Sequence, residues 1–210
     1  MMQLYYAPGA CSMAVHAILN ELALPFELKP VDVYAGEGQA PEFLKLNPCG
    51  QIPVLVVDDM AVRETAAIIM YLMDEYKSTL MPRSGKARTI AVEWLMFANA
   101  TLQTAYSKAS FALKNTTDPV VKDQLFDVAL ARIDKLWEEV DAALLKNRYI
   151  CGKDLSAADF LLAVIANWGN HHPRKPTLGP NIKRMLREII VRPSFAKALK
   201  IEQVEYKNAV

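Results

Sequence analysis

A cysteine near the start of the chain stands where a predicted strand gives way to a predicted helix. Residues 2–7 are rich in Leu and Tyr, Pro8-Gly9-Ala10 interrupt the strand pattern, and Cys11 and Ser12 open a helical pattern. Because the N-terminus of a helix favours anions, this position predicts a thiol with a lowered pKa and a raised thiolate fraction. A small buried cysteine with a structural role is the alternative interpretation.

Two neighbours of Cys11 carry hydroxyl groups that can act on a sulfur. Ser12 can cap the helix, or it can donate a hydrogen bond to a sulfur. Tyr6 can donate to a thiolate, but an aromatic side chain in a first strand is typical of a core, and its unperturbed pKa is about 10. We expect Cys11 to lie closest to any sulfur chemistry, since of the three residues it alone can also form a disulfide.

A second stretch, Asn47–Leu55, carries a turn and then a proline at the mouth of an apolar strand. Proline cannot donate to a sheet ladder, so Pro53 marks an edge, a bulge or a cis peptide bond. A cis bond after Ile52 turns the backbone groups of Ile52 outward, where they can pair with the main chain of an extended peptide. A trans proline that starts the strand is the alternative. Cys49, in the turn, is either a site for a mixed disulfide or a surface residue.

An acidic residue followed by a hydroxyl opens the next helix, at Glu64 and Thr65. The free N–H groups of a helix N-terminus bind a carboxylate, and the Thr65 hydroxyl adds a donor. Glu64 can pair with an ammonium group through a charge-assisted hydrogen bond. Together they suit the amino-acid end of a ligand, although both residue types also favour helix starts.

The elements that must position these residues change character after residue 78. Up to there, strand and helix patterns follow the order β-α-β-α-β-β-α. Residues 79–88 contain Pro, Ser and Gly and are typical of a linker. Beyond them only helical patterns recur, including one that begins at Asp118-Pro119 and one that begins at a capping box, Ser156 to Asp159. The sequence predicts an α/β domain, residues 1–78, and an all-helical domain, residues 89–210.

Composition argues against several classes of protein. Of 210 residues, 52% are hydrophobic and 22% are charged, and the formal net charge of +1 gives no electrostatic case for binding nucleic acid or an anionic membrane. Three cysteines at unrelated spacings suit a reducing compartment, and no signal peptide is visible, so we expect a cytoplasmic protein.

The apolar run 161–166 is too short to span a bilayer. The His171-His172 pair has no carboxylate or cysteine at ligand spacing, which favours a solvated loop over a metal site.

Three stretches, taken in order, resemble the cytosolic glutathione transferase family over essentially the whole chain. Tyr5–Ser12 is similar to the start of bacterial beta-class members, which place a cysteine at this position. Asn47–Leu55 resembles the family's cis-proline loop, and Arg63–Ile68 resembles its acid-plus-hydroxyl step at the start of the third helix. The resemblance implies a thioredoxin-like N-terminal domain followed by an α-helical bundle. It also implies a homodimer in which the α/β domain of one chain faces the helical domain of the other.

The same resemblance implies roles for particular residues. The protein would use glutathione as a substrate, without a metal, and conjugate its sulfur to small hydrophobic electrophiles in detoxification. Phe111 is a further candidate for the electrophile pocket, and packing in the helix-bundle core is the alternative for the apolar members of that pocket. The implied catalytic residues are Cys11, Tyr6 and Ser12; the implied glutathione-binding residues are Cys11, Gln51, Ile52, Pro53, Glu64 and Thr65; the implied electrophile pocket is lined by Met96, Gln103 and Tyr106.

Three positions depart from the beta-class pattern. Ala35-Gly36 stand where members tend to carry a lysine, Met96 where they often have an asparagine, and Gln103 where they have a histidine. Glutamine forms hydrogen bonds but cannot carry a proton in acid–base catalysis. These differences bear on catalytic rate and substrate range more than on the fold. Two functions stay open: an enzyme that conjugates glutathione or exchanges disulfides through Cys11, and a glutathione-binding or regulatory protein with little turnover.

Overall fold

A four-stranded sheet forms the centre of the N-terminal part of the chain. The computed structural model describes residues 1–208, and its strands lie in the order β2-β1-β3-β4. β2 runs parallel to β1, and β3 runs antiparallel to both β1 and β4. The strands are β1 (Met2–Tyr6), β2 (Phe26–Pro30), β3 (Val54–Val57) and β4 (Met60–Arg63).

Three helices cover this sheet: α1 (Ser12–Glu21), α2 (Pro41–Leu46) and α3 (Thr65–Glu75). The buried apolar residues of α1 and α3 belong to the larger core cluster, which continues into the helical part of the molecule. A smaller cluster forms where Phe43 of α2 packs with Val54 of β3. The sheet therefore buries apolar side chains on both faces, as its alternating side chains require.

The rest of the chain is helical. α4 and α5 are joined by a π-helical segment, Phe97–Leu102, so that residues 85–115 form one continuous but locally widened helix. This arrangement confirms the predicted fold class, a thioredoxin-like α/β part followed by helices. The helices are α4 (Gly85–Met96), α5 (Gln103–Asn115), α6 (Pro119–Leu144), α7 (Ala157–Trp168), α8 (Pro180–Ile190) and α9 (Pro193–Glu202).

The stretch between the two parts is packed against the core. Leu80 and Met81 are buried, and the Leu80 carbonyl accepts a hydrogen bond of 2.9 Å from the Ala157 N–H at the start of α7. α4 begins at Gly85, inside the stretch predicted as a linker. The connection is therefore fixed to α7 by hydrogen bonding as well as by apolar burial.

The predicted capping box at the start of α7 is confirmed. Asp159 accepts hydrogen bonds of 2.8 Å from the Ser156 N–H and from the Ile150 N–H, and it also pairs with the Ser156 hydroxyl. Burial raises the pKa of Asp159 to about 6, while these donors act in the opposite direction. α7 is buried along most of its length, and within residues 1–208 we find no helix whose length and apolar character would let it cross a membrane.

Candidate active site

Cys11 lies at the point where four elements meet. Its thiol is only 6% exposed, and Sγ lies 4.0 Å from the carbonyl oxygen of Ile52, just before β3. The side chains of Thr65, at the start of α3, and Gln103, at the start of α5, lie close enough to the thiol to lower its pKa. Folding therefore brings four residues that the sequence nominated to one place.

The environment of Cys11 changes its pKa in the direction opposite to the prediction. Burial raises the pKa of the Cys11 thiol, and hydrogen bonds from Thr65, Gln103 and the N–H groups of Ser12 and Cys11 offset this only in part. The expected lowering by a helix N-terminus is therefore wrong. The reason is that a thiolate here would lose its hydration, which outweighs the favourable dipole. At neutral pH the group is a thiol, able to donate a hydrogen bond.

The Ser12 hydroxyl and the Tyr6 ring contact the surrounding structure. Ser12 donates to the Ala7 carbonyl at 3.2 Å and accepts from the Ala7 N–H at 3.3 Å, and α1 has no side-chain cap. Ser12 thus does not cap the helix, and its hydroxyl donates to the Ala7 carbonyl. The ring of Tyr6 packs edge-on against the buried His16, with centroids 6.4 Å apart, and Tyr6 does not line the cavity described below.

The loop before β3 is fixed by side-chain and backbone hydrogen bonds. The Asn47 side chain donates to the Gln51 carbonyl at 2.7 Å and accepts from the Cys49 N–H at 3.1 Å. Gly50 has φ of +65°, and a Cβ there would meet the Gly38 carbonyl oxygen at 2.7 Å, so only glycine fits. The peptide bond that follows Ile52 is cis. These contacts hold the backbone of Ile52 beside Cys11.

The start of α3 presents a strained residue and a buried hydroxyl. Glu64 has φ of +70° and is exposed, a conformation that costs about 1–3 kcal/mol in a non-glycine residue. Strained backbone of this kind is often found at ligand sites. Thr65 is 3% exposed and is the first residue of α3, whose first N–H groups have no partner within the helix. A carboxylate bound here would therefore meet backbone N–H groups and the Thr65 hydroxyl.

A cavity of about 790 Å³ opens beside Cys11, between the two parts of the chain. We call Cys11, Ile52, Glu64 and Thr65 the α/β wall. Of these four residues Ile52 lines the cavity, and Cys11 directly follows the lining residue Ala10, whereas Glu64 and Thr65 do not line it. The residues Tyr106, Ser110, Phe111 and Trp168, from α5 and the end of α7, are called the helical wall. The cavity is lined by Ala7–Ala10, Val33, Tyr34, Ile52, Tyr106, Ser107, Ser110, Phe111, Leu113, Lys114, Asn115, Trp168, His171 and His172.

The three residues predicted for the electrophile pocket lie in different places. Tyr106 lines the cavity and is buried, and its hydroxyl accepts a hydrogen bond of 2.9 Å from Trp137 Nε1. Gln103 lies at the Cys11 thiol instead of on the cavity surface, and its Oε1 is buried with no partner among the described residues. Met96 is 36% exposed near the end of α4 and does not line the cavity.

Two distant residues that sequence reasoning missed hold the loop in front of Cys11. Trp168 Nε1 donates to the Gly9 carbonyl at 2.8 Å, and the Gly9 N–H donates to Glu202 at 2.9 Å. The other carboxylate oxygen of Glu202 lies 2.8 Å from Nδ1 of His16, and both side chains are fully buried. Nothing in the local sequence signals these contacts, because they join α9 and α7 to the first turn of the chain.

One of the two adjacent histidines, His172, is placed differently from the expectation. His172 is half-buried, and its ring centroid lies 5.5 Å from that of Tyr106 and 5.5 Å from that of Phe126. Burial and the neighbouring His171 lower the pKa of His172. The prediction of a solvated loop is therefore wrong for His172, which helps to form the cavity, while His171 is exposed.

The other two cysteines lie outside this cavity. Cys49 is exposed in the turn before Ile52, and Cys151 is half-buried. Burial raises the pKa of Cys151 to about 11, which makes it a poor nucleophile at neutral pH. Across residues 1–208, no group of three or more His, Cys, Asp or Glu side chains is arranged to hold a metal ion.

Known proteins similar to this chain share one family. Residues 1–74 match the family model described as the glutathione S-transferase N-terminal domain. Glutathione S-transferase GST-4.5 of Xanthomonas campestris pv. campestris is 34% identical over 171 residues, which are 80% of this chain and 83% of that protein. The solved glutathione S-transferase from Xylella fastidiosa superposes with a TM-score of 0.87 at 28% identity, covering 98% of this chain and 100% of that one. A glutathione transferase homologue from Sulfitobacter, solved with bound glutathione, gives 0.85 at 26% identity, covering 98% and 99%.

Proposed function

The chain belongs to the glutathione S-transferase family, and we propose that it binds glutathione on the α/β wall and joins its sulfur to a hydrophobic electrophile held against the helical wall. One observation carries this proposal. The Cys11 thiol, the Ile52 carbonyl and the Thr65 hydroxyl meet beside a cavity whose opposite side is aromatic. A peptide thiol and an apolar electrophile can therefore lie next to one another.

Glutathione fits the α/β wall as an extended peptide. The N-terminus of α3 and the Thr65 hydroxyl bind the carboxylate of its γ-glutamyl end, and Glu64 pairs with the ammonium group. The backbone of Ile52, between Gln51 and Pro53, pairs with the main chain of the cysteinyl unit. This placement brings the glutathione sulfur to Cys11.

The reaction then needs a thiolate, and Cys11 stabilises it as a hydrogen-bond donor. Because burial raises the pKa of Cys11, the residue keeps its proton at neutral pH and donates S–H to the glutathione sulfur. With 1-chloro-2,4-dinitrobenzene, the thiolate attacks the ring carbon that bears chlorine. A C–S bond forms, the C–Cl bond breaks, chloride leaves, and the thiol proton of glutathione passes to water.

A second candidate function is a glutathione-binding or regulatory protein with little turnover. Gln103 favours it, since the amide contacts Cys11 but cannot carry a proton. The raised pKa of Cys11 likewise weakens the case for disulfide exchange through this residue, because exchange needs the thiolate.

We also expect a homodimer. Ile90 and Met96 of α4 are 44% and 36% exposed, which leaves apolar side chains on the helix that the dimer would cover. Sedimentation should show a dimer at micromolar concentration, and a monomer across that range would contradict this part of the proposal. All three cysteines are free thiols, which supports a cytoplasmic role in detoxification.

Calorimetry and turnover together test the proposed function. Titration with glutathione should show binding, and absorbance should show conjugation of 1-chloro-2,4-dinitrobenzene above the uncatalysed rate. Binding without turnover would favour the second candidate. The absence of both would contradict both candidates.

A further inference from the structure

A polar stripe runs along α5 from Cys11 towards the mouth of the cavity. Gln103, Ser107, Ser110 and Lys114 are spaced four, three and four residues apart, so they share one face of the helix. Gln103 contacts the Cys11 thiol, while the other three line the cavity. At 1.5 Å per residue, the ends of the stripe lie about 16 Å apart along the helix axis.

Lys114, at the far end of the stripe, contacts the opposite side of the cleft only weakly. Its ammonium nitrogen lies 4.4 Å from the centroid of the Tyr34 ring, in the loop after β2. An exposed cation–π contact of this kind contributes about 0.5–1 kcal/mol, so the ammonium can turn to a better partner. In the part of the chain that the structure describes, no salt bridge involves Lys114.

Negative charge is missing from the cavity surface. None of the described lining residues is an Asp or a Glu. The carboxylates of Asp32 and Glu37, in the same loop as Tyr34, accept backbone N–H groups of that loop and do not line the cavity. Among the described lining residues, Lys114 is thus the one Lys, Arg, Asp or Glu side chain, on a surface that otherwise offers hydroxyls, an amide, imidazoles, aromatic rings and aliphatic groups.

The apolar part of a ligand has room between the two ends of the polar stripe. Phe111 is 67% exposed, and Trp168 and Ile52 face the same cavity. Exposing a large aromatic ring in this position costs free energy that a flat apolar ligand would recover. The cavity therefore combines a sulfur site at one end, apolar surface in the middle and a cation at the other end.

We infer that the second substrate is an aromatic electrophile that carries a carboxylate, with the carboxylate at Lys114 and the electrophilic carbon towards Cys11. This inference rests on the proposed conjugation and names its substrate class. Ethacrynic acid is a suitable probe. The glutathione sulfur adds to its terminal methylene carbon, the C–S bond forms as the C=C π bond breaks, and the neighbouring carbon takes a proton from water.

Calorimetry with two preformed conjugates tests the charge site without depending on turnover. The glutathione conjugate of ethacrynic acid should bind about three- to fivefold tighter than the conjugate of its neutral amide, the effect of a solvent-exposed ion pair. In Lys114→Met the ratio of the two Kd values should fall to about one, and Lys114→Arg should keep it. Lys108→Met is the matched control, since Lys108 lies on the same helix but does not line the cavity. Added salt should lower the wild-type ratio.

The contrary outcomes are distinct. A wild-type ratio near one, or a ratio that Lys114→Met leaves unchanged, overturns the inference. If Lys114→Met weakens both conjugates equally, the lysine binds a carboxylate of glutathione itself, which also overturns it. Failure to conjugate 1-chloro-2,4-dinitrobenzene would instead count against the proposed function, and the Kd ratio would still decide the inference.

Discussion

The two walls of the cleft are built in different ways. Cys11, Glu64 and Thr65 stand at the starts of helices and Ile52 stands in the loop just before β3, where local hydrogen bonds of Asn47 fix the backbone. The helical wall consists of side chains from α5 and the end of α7, which are brought together only by packing. Backbone groups at element ends suit one ligand of fixed shape. A surface of side chains can accommodate different ligands when a few residues change.

This difference is consistent with the two walls binding different substrates. Under the proposed function, glutathione lies on the α/β wall and the electrophile on the helical wall. The contacts of Gly9 with Trp168 and Glu202 join the walls, because they tie the loop before Cys11 to the helical part. Substitutions in these connecting contacts, which we call the joint, and substitutions in either wall should therefore have separate effects on stability and on binding.

The largest effect is expected from breaking the joint. Glu202→Ala leaves His16 and the Gly9 N–H without their acceptor in a fully buried site. Leaving a buried hydrogen-bonding group without its partner costs about 1–3 kcal/mol, and two groups lose theirs, so the free energy of unfolding should fall by about 2–6 kcal/mol in urea denaturation. Lys200→Ala, on the same helix and exposed, should change it by less than about 0.5 kcal/mol. If Glu202→Ala lowered the free energy of unfolding as little as the control does, the contacts of Glu202 with Gly9 and His16 would not be needed for stability.

Thr65→Val should damage the α/β wall alone. The variant keeps the shape of the side chain but removes the hydroxyl, and a hydrogen bond to a charged group contributes about 1.5–3 kcal/mol. Calorimetry should show glutathione binding weakened about tenfold or more. Thr89→Val, an exposed threonine on α4, is the control. Equal glutathione affinities of the wild type and Thr65→Val would contradict the proposed binding of the glutathione carboxylate at the start of α3.

The reactivity of Cys11 should depend on pH in a way that its position alone would not suggest. Because its pKa is raised, the reactive thiolate forms only at a pH above the range of an ordinary thiol. Alkylation of Cys11 by iodoacetamide should therefore be slow at pH 7, and its rate should increase as the pH rises through the raised pKa of Cys11. The exposed Cys49 reports the behaviour of an accessible thiol in the same sample. A midpoint for Cys11 below that of Cys49, measured by mass spectrometry, would restore the low-pKa interpretation.

The smallest effect is expected on the helical wall. Phe111→Ala removes an aromatic ring that is 67% exposed, and aromatic contacts contribute about 0.5–1.5 kcal/mol, so KM for 1-chloro-2,4-dinitrobenzene should rise about two- to tenfold. Glutathione affinity should not change. Val128→Ala, an exposed apolar residue of α6 outside the cavity, should alter neither value. A change in glutathione affinity in Phe111→Ala would contradict the separation of the walls.

The sequence predicted the α/β wall better than the helical wall for a physical reason. Cys11, Ile52 and Thr65 stand at junctions that glycine, proline and helix-start residues mark locally. The capping box at Ser156 is local in the same sense. Trp168 and Glu202 reach Gly9 across most of the chain length, and no periodicity reports such a contact.

The predictions for the pKa of Cys11 and for the position of His172 were wrong because each considered a local effect without the tertiary packing that opposes it. The helix start at Cys11 was visible in the sequence, but the burial that raises its pKa depends on neighbours from other elements. His172 has polar chemistry and a proline after it, both typical of a loop, yet it packs between Tyr106 and Phe126. In both cases tertiary packing decided the outcome.

The central claim is that both substrates meet at Cys11, each on its own wall, and a crystal structure with S-hexylglutathione tests it most directly. We predict that the sulfur lies within about 4 Å of Cys11 Sγ, a distance compatible with a hydrogen bond between sulfurs. The γ-glutamyl carboxylate should contact Thr65, and the hexyl chain should lie against Phe111 and Trp168. A γ-glutamyl group bound away from α3, or a hexyl chain that leaves the cavity, would contradict the claim.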